Sequence, residues 1–182
     1  MSQPIRLSSL LPGPAAGFEQ PFEMLEACHE RVQRMLALLE RLREYLPGHG
    51  ADRSARDAAR DVMRYFDQAA PQHHRDEELH VFPPLLARGD AETVALVQRL
   101  QQDHRAMESR WQEARRALAA IEAGELQSFA PADEAALDAF ASLYDGHIEA
   151  EEAIAYPAAA GMLDDPAQRA MGEEMMRRRG VK

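Results

Sequence analysis

Between Phe22 and Leu46 the apolar residues Leu25, Cys28, Val32, Met35, Leu39, Leu42 and Leu46 recur at alternating spacings of three and four, which predicts one continuous helical stripe. Pro47-Gly48 is expected to end it. A second run opens near Asp52 or Ser54 and carries Ala59, Val62, Phe66 and Ala69 on one face. It continues past Pro71 toward Pro83-Pro84, and Pro71 is expected to kink or split it. Gly89-Asp90 then offers a stop and an N-cap. Val94, Val97, Leu100, His104, Met107, Trp111, Ala114, Leu118 and Ile121 trace a third stripe, closed by Gly124. The fourth helix is predicted from near Pro131 through Leu137, Phe140, Tyr144, His147, Glu151 and Ile154, ending at Pro157 or the small residues beyond it. Asp165-Pro166 opens a short fifth helix.

Four long amphipathic stretches with short connections predict an all-α fold, most simply an antiparallel up-down four-helix bundle over residues 21–161. Residues 162–182 form a C-terminal helix and tail. Residues 1–20, with Pro4, Pro12, Gly13, Pro14 and Gly17, cannot sustain a helix and read as an N-terminal arm. Composition agrees, since only 6% of the 182 residues are aromatic and unbranched helix formers abound.

The net charge of −10 argues against a nucleic-acid partner. The short basic run Arg177 to Arg179 reads as a helix terminus favoured by its dipole. Cys28 is the single cysteine, which excludes an internal disulfide and a thiolate metal cage and suggests a reducing compartment. No basic start precedes a long apolar run, and no stretch approaches the roughly 20 apolar residues that span a bilayer. The expectation is a soluble cytoplasmic protein with no membrane partner.

Polar residues interrupt the apolar seam. His29 lies between Leu25 and Val32, His104 falls in register on the third stripe, and His147 and Glu151 occupy core positions of the fourth. Burying an imidazole without a partner costs about 1–3 kcal/mol and an unpaired carboxylate costs more, so several together need a shared compensating partner. The segment from His147 to Pro157 repeats the layout of His73 to Pro83: His, then Glu-Glu four and five residues on, an aromatic nine on, proline ten on. The repeat pairs His73 with His147, Glu77 with Glu151 and Phe82 with Tyr156, and so selects His73 over His74. Counted at about 100° per residue from Phe66, His73 and Glu77 fall within roughly 20° of the apolar face's centre, while His74 and Glu78 point roughly 80° and 120° away. Two His-x-x-x-Glu pairs and two single histidines give six inward ligands: His29, His73, Glu77, His104, His147 and Glu151. Imidazole and carboxylate without thiolate suit iron or manganese better than a structural zinc, and six ligands suit two metals.

These residues resemble the hemerythrin-like family, the HHE cation-binding domain, in the pattern His, His-x-x-x-Glu, His, His-x-x-x-Glu on successive helices over about residues 22–160. The resemblance implies a four-helix bundle with two iron ions, oxo- or hydroxo-bridged, held by the six residues just named. It implies binding or sensing of dioxygen, nitric oxide or related oxidants, with a small diatomic ligand or peroxide as partner; manganese or zinc are the alternative metals. The oxygen carriers place two histidines four apart on the third helix, where this chain has His104 and Glu108. That departure puts reversible carriage in doubt and fits sensing or redox turnover at least as well. The other readings are a di-iron oxidase or peroxidase, and a metal-stabilised interaction module. Glu108 reads as an exposed glutamate pairing with Arg105 or the arginines beside Trp111, His80 as solvated, Tyr144 as core packing and Cys28 as a buried, inert thiol. Met171, Met175 and Met176 fit either a partner surface or a docked fifth helix.

Overall fold

The computed structural model describes residues 17–181, and most of the arm expected over residues 1–20 lies outside the described residues. The described chain is helical, without strands. Helix α1 (Pro21–His49) runs two residues past Pro47. Gly50, at φ 67°, ends it by donating its N–H to the Leu46 carbonyl over 2.8 Å. The left-handed region that glycine enters without a Cβ clash makes Gly50, rather than Pro47-Gly48, the stop.

Helix α2 covers residues 53–88 and opens on Asp52, whose side chain accepts the Ala55 N–H over 2.9 Å. Its α-helical pieces Arg53–Arg64, Ala70–Asp76 and Phe82–Arg88 are joined by the π-turns Tyr65–Ala69 and Glu77–Val81. The expected kink at Pro71 is therefore absorbed by a widened turn. Helix α3 (Ala91–Ala123) starts on Asp90, which accepts the Thr93 N–H, and ends on Gly124 at φ 77°.

Helix α4 covers residues 131–162 and departs from the expected unbroken run. Pro131–Ala141 is followed by a turn over residues 142–144, then Asp145–Ala150, the π-turn Glu151–Ala155 and Tyr156–Met162. In that turn Leu143 N–H reaches the Phe140 carbonyl and Tyr144 N–H the Ala141 carbonyl, bonds one residue tighter than α-helical ones. Helix α5 (Asp165–Arg178) is capped by Asp164. Met171 and Met175 on α5 are buried among the core, which settles them as docking residues of a fifth helix.

All three π-turns close in the same way. The amides of Ala70, Phe82 and Tyr156 donate to the carbonyls of Tyr65, Glu77 and Glu151, five residues back. Each donor immediately precedes a proline: Pro71, Pro83 or Pro157. A proline ring has no N–H to give and clashes with the carbonyl four residues back, and one extra residue in the turn relieves that clash.

The buried apolar residues form two clusters. One holds Val32 to Leu46, Ala55 to Ala70, Met107 to Ile121 and Leu137 to Ile148; the other holds Met24 and Leu25, Val81 to Leu85, Val97 and Leu100, and Ala150 to Ala159. Along α1 to α4 the chain crosses from one cluster to the other at His29, at His73 and Glu77, at His104, and at His147 and Glu151 respectively. Each buried Leu, Val or Phe contributes about 1.5–3 kcal/mol to these clusters. No described helix is long and apolar enough to cross a membrane.

Candidate metal centre

The polar layer between the clusters contains His29, His73, Glu77, His104, His147 and Glu151, each at most 6% exposed. All six residues expected from the sequence are brought together. One group joins His29, His73, Glu77 and Glu151, and a second joins His104, His147 and Glu151; within each, the candidate ligand atoms lie within 4.8 Å of one another.

The two glutamates tie the groups. Glu77 turns Oε1 toward His73 Nε2 at 3.3 Å and Oε2 toward His104 Nε2 at 3.4 Å. Glu151 turns Oε2 toward His29 Nε2 at 3.1 Å and Oε1 toward His147 Nε2 at 3.0 Å. Each carboxylate thus spans both histidine pairs. Among the described residues, Glu77 Oε2 and both Glu151 oxygens are buried without a hydrogen bond, and His104 Nε2 faces His147 Nε2 across 3.2 Å. Such a concentration of lone pairs is costly unless a cation lies among them, so the donor set fits two divalent or trivalent metals. Oxygen and imidazole nitrogen, six residues in all, suit iron or manganese.

The outer ring nitrogens are held as well. His29 Nδ1 pairs with Glu152 at 2.9 Å, His104 Nδ1 with Glu78 at 3.1 Å, and His147 Nδ1 with Asp103 at 3.3 Å. A carboxylate on the far side of a ligating imidazole fixes its tautomer and raises its basicity. Helical phase pointed Glu78 away from the centre and so missed this role. The doubled Glu-Glu of the repeat was the available signal, because Glu78 and Glu152 perform the same task on different helices. His74 is half-buried and stacks on His104 with ring centroids 4.1 Å apart, outside both ligand groups.

Charge is balanced within the layer. Burial opposes ionisation of Glu151, yet His104, His147 and His29 outweigh it and hold the carboxyl well below the usual carboxylate range. Burial likewise opposes charge on His104, and Glu151, Glu77 and Glu78 overcome it, raising its pKa to about 11. His73 is pushed down by burial.

Tyr156 enters the layer from the second repeat. Its hydroxyl donates to Glu77 Oε1 and lies 3.1 Å from His29 Nε2, while its ring stacks on His29 at 5.5 Å. The sequence assigned it no role beyond matching Phe82. Burial and then the charges of Glu77 and Glu151 hold the phenol well above its ordinary pKa.

The remaining residues sort by surroundings. Glu108 is exposed on the rim of a cavity of about 590 Å³ whose wall includes His74, His104, Met107, Trp111 and Tyr144. Tyr144 packs against Phe66 and Phe140, as expected of a core residue. Cys28 is half-buried rather than fully buried as expected, yet burial still raises its thiol to about 11, which keeps it protonated and unreactive near neutral pH. Two further expectations change: His80 pairs with Glu174 of α5 at 2.8 Å instead of being solvated. Arg178 and Arg179 do more than complement a helix dipole, for both pair with Asp76, which is 0% exposed between His73 and Glu77.

The chain resembles known proteins over most of its length. A family model described as the hemerythrin HHE cation binding domain matches residues 20–159. An uncharacterized protein of Haemophilus influenzae is 31% identical over 173 residues, covering 95% of this chain and 98% of its own length.

Proposed function

The chain belongs to the hemerythrin HHE cation-binding domain family, and from that premise we propose that it is a non-haem di-iron protein that binds or senses dioxygen, nitric oxide or a related oxidant. His29 and His73 would hold one iron, His104 and His147 the other, and Glu77 and Glu151 would bridge them. The observation that carries this reading is the division of each carboxylate's two oxygens between the two histidine pairs. An antiparallel up-down arrangement of α1 to α4 belongs to the same reading, supported by the alternating order in which successive helices meet the two apolar clusters. The absence of cysteine beyond Cys28 supports a cytoplasmic setting.

When bound, the metal pair would supply Lewis acidity and one-electron redox capacity in a buried layer. The chain's own contribution is positional. Glu152, Glu78 and Asp103 hold three imidazoles with Nε2 inward. The apolar clusters on either side exclude bulk water. The cavity beside His104 gives a small molecule a path to one half of the centre.

Metal analysis and visible spectra of aerobically purified protein test the reading. About two irons per chain are expected in wild type and in His74→Ala, and loss of iron in His73→Ala and His147→Ala. One zinc per chain, or no stoichiometric metal after iron loading, would overturn it. The size of the cavity, about 590 Å³, favours a second reading as an oxidase or peroxidase with an organic co-substrate. Sustained consumption of peroxide with a reductant would support the enzyme; a reversible spectral change on adding nitric oxide, without turnover, would support the binding protein.

A further inference from the structure

The two repeats build matching halves. Glu78 and Phe82 of the first repeat support His104: Glu78 pairs with its Nδ1, and Phe82 stacks on its ring at 5.5 Å. Glu152 and Tyr156 of the second repeat support His29 in the same way, by a pairing to Nδ1 and a ring stack at 5.5 Å. The π-turns Glu77–Val81 and Glu151–Ala155 give both aromatics the same relation to their glutamates. The halves differ chemically where one aromatic carries a hydroxyl and the other does not.

That hydroxyl lies among ligand atoms. It contacts Glu77 Oε1 and His29 Nε2, both members of the His29/His73 group, and Tyr156 is 2% exposed. Resting on the di-iron reading, we propose that Tyr156 is a further ligand, its phenolic oxygen binding the metal held by His29 and His73. On binding, the hydroxyl proton now donated to Glu77 leaves to solvent and an oxygen lone pair goes to the metal, as for other ligands that must lose a proton. Phe82 can offer nothing equivalent to the metal of His104 and His147. The centre would therefore be unsymmetrical, with one more protein donor on the half nearer Tyr156, while the half that meets the cavity at His104 has fewer protein donors and room for an exogenous ligand.

Chain loaded with iron(II) and oxidised in air tests the assignment by visible absorption and resonance Raman spectroscopy. A phenolate-to-iron(III) charge-transfer band with phenolate ring vibrations is expected in wild type. Tyr156→Phe should lose the band and its vibrations while keeping the iron content, and Tyr144→Phe should keep both. Two irons without phenolate vibrations in wild type, or an unchanged band in Tyr156→Phe, would overturn the ligand assignment and leave the di-iron reading standing. Failure of wild type to bind iron would overturn both. Should Tyr156→Phe misfold, phenolate vibrations that persist in Tyr45→Phe, Tyr65→Phe and Tyr144→Phe would assign the band to Tyr156 by elimination among the four tyrosines.

Discussion

At the scale of the residue, a buried carboxylate's neighbours determine what it does. Glu77 and Glu151 sit where their oxygens meet imidazole nitrogens from both pairs, whereas Glu78 and Glu152, one residue on, reach outward to the far nitrogen of His104 and His29. Replacing Glu152 by Gln is expected to weaken metal binding by about 10- to 100-fold, measured by competition with a chelator, with helical content unchanged; unchanged affinity would mean that the contact is incidental. The pKa of His104 is raised above its unfolded value, so its stabilising contribution is full below about pH 6.5 and fades as pH rises through about 11. That of Glu151 is lowered, so its contribution holds above about pH 4.3 and is lost as acid reaches its folded value. Metal binding near neutral pH should accordingly release protons, detectable with an indicator dye in weak buffer; silence in that assay would contradict the protonated network. All six candidate ligands were legible in the sequence because a polar residue on an apolar stripe stands out against its period. Tyr156 was not, since an aromatic residue at a core position looks the same whether its hydroxyl faces a carboxylate or merely packs.

At the scale of the element, several helix ends were readable from local chemistry: Asp90 caps as expected, Gly124 closes α3, and of the two starts open for α2, Asp52 or Ser54, it is Asp52 that caps. What periodicity could not reveal was the widening of the helix before each proline. The count from Phe66 still brought His73 and Glu77 to the layer and pointed Glu78 away from it; what it could not show was that a residue pointing away still reaches the outer nitrogen of His104. The turn over residues 142–144 was equally hidden, because the apolar stripe passes through it without proline or a gap. The π-turns have a purpose that follows from their geometry. A bond closed five residues back brings Glu151 and Tyr156 over one another, as residues four apart are in an α-helix. Pro157→Ala permits the ordinary α-turn and removes an interior proline that costs about 3 kcal/mol. The variant is expected to melt higher in its metal-free form yet bind metal more weakly, by calorimetry and chelator competition respectively. Tighter metal binding by Pro157→Ala would show that the widened turn does not serve the site.

At the scale of the whole molecule, a polar layer buried between two apolar clusters is tied to the C-terminus through Asp76. Arg178 and Arg179 from α5 both reach this fully buried carboxylate, and Gly172 lets the chain at Phe18 lie against α5, where an added Cβ would strike the Phe18 carbonyl. Asp76 also breaks the repeat, its counterpart being Ala150, which marks it as serving α5 rather than the metals. Replacing both arginines by alanine leaves a buried carboxylate without a counter-charge and should cost about 3–5 kcal/mol of stability, measured by urea unfolding. A loss below about 1 kcal/mol, the range of exposed ion pairs, would mean that α5 is only loosely docked. The claim on which the rest depends is that two metals share Glu77 and Glu151 between the histidine pairs. Anomalous diffraction at the iron edge from crystals of the iron-loaded chain tests it most directly. Two peaks are expected, one beside His29 and His73 and one beside His104 and His147, with both glutamates between them; a single peak, or iron bound away from these side chains, would contradict it.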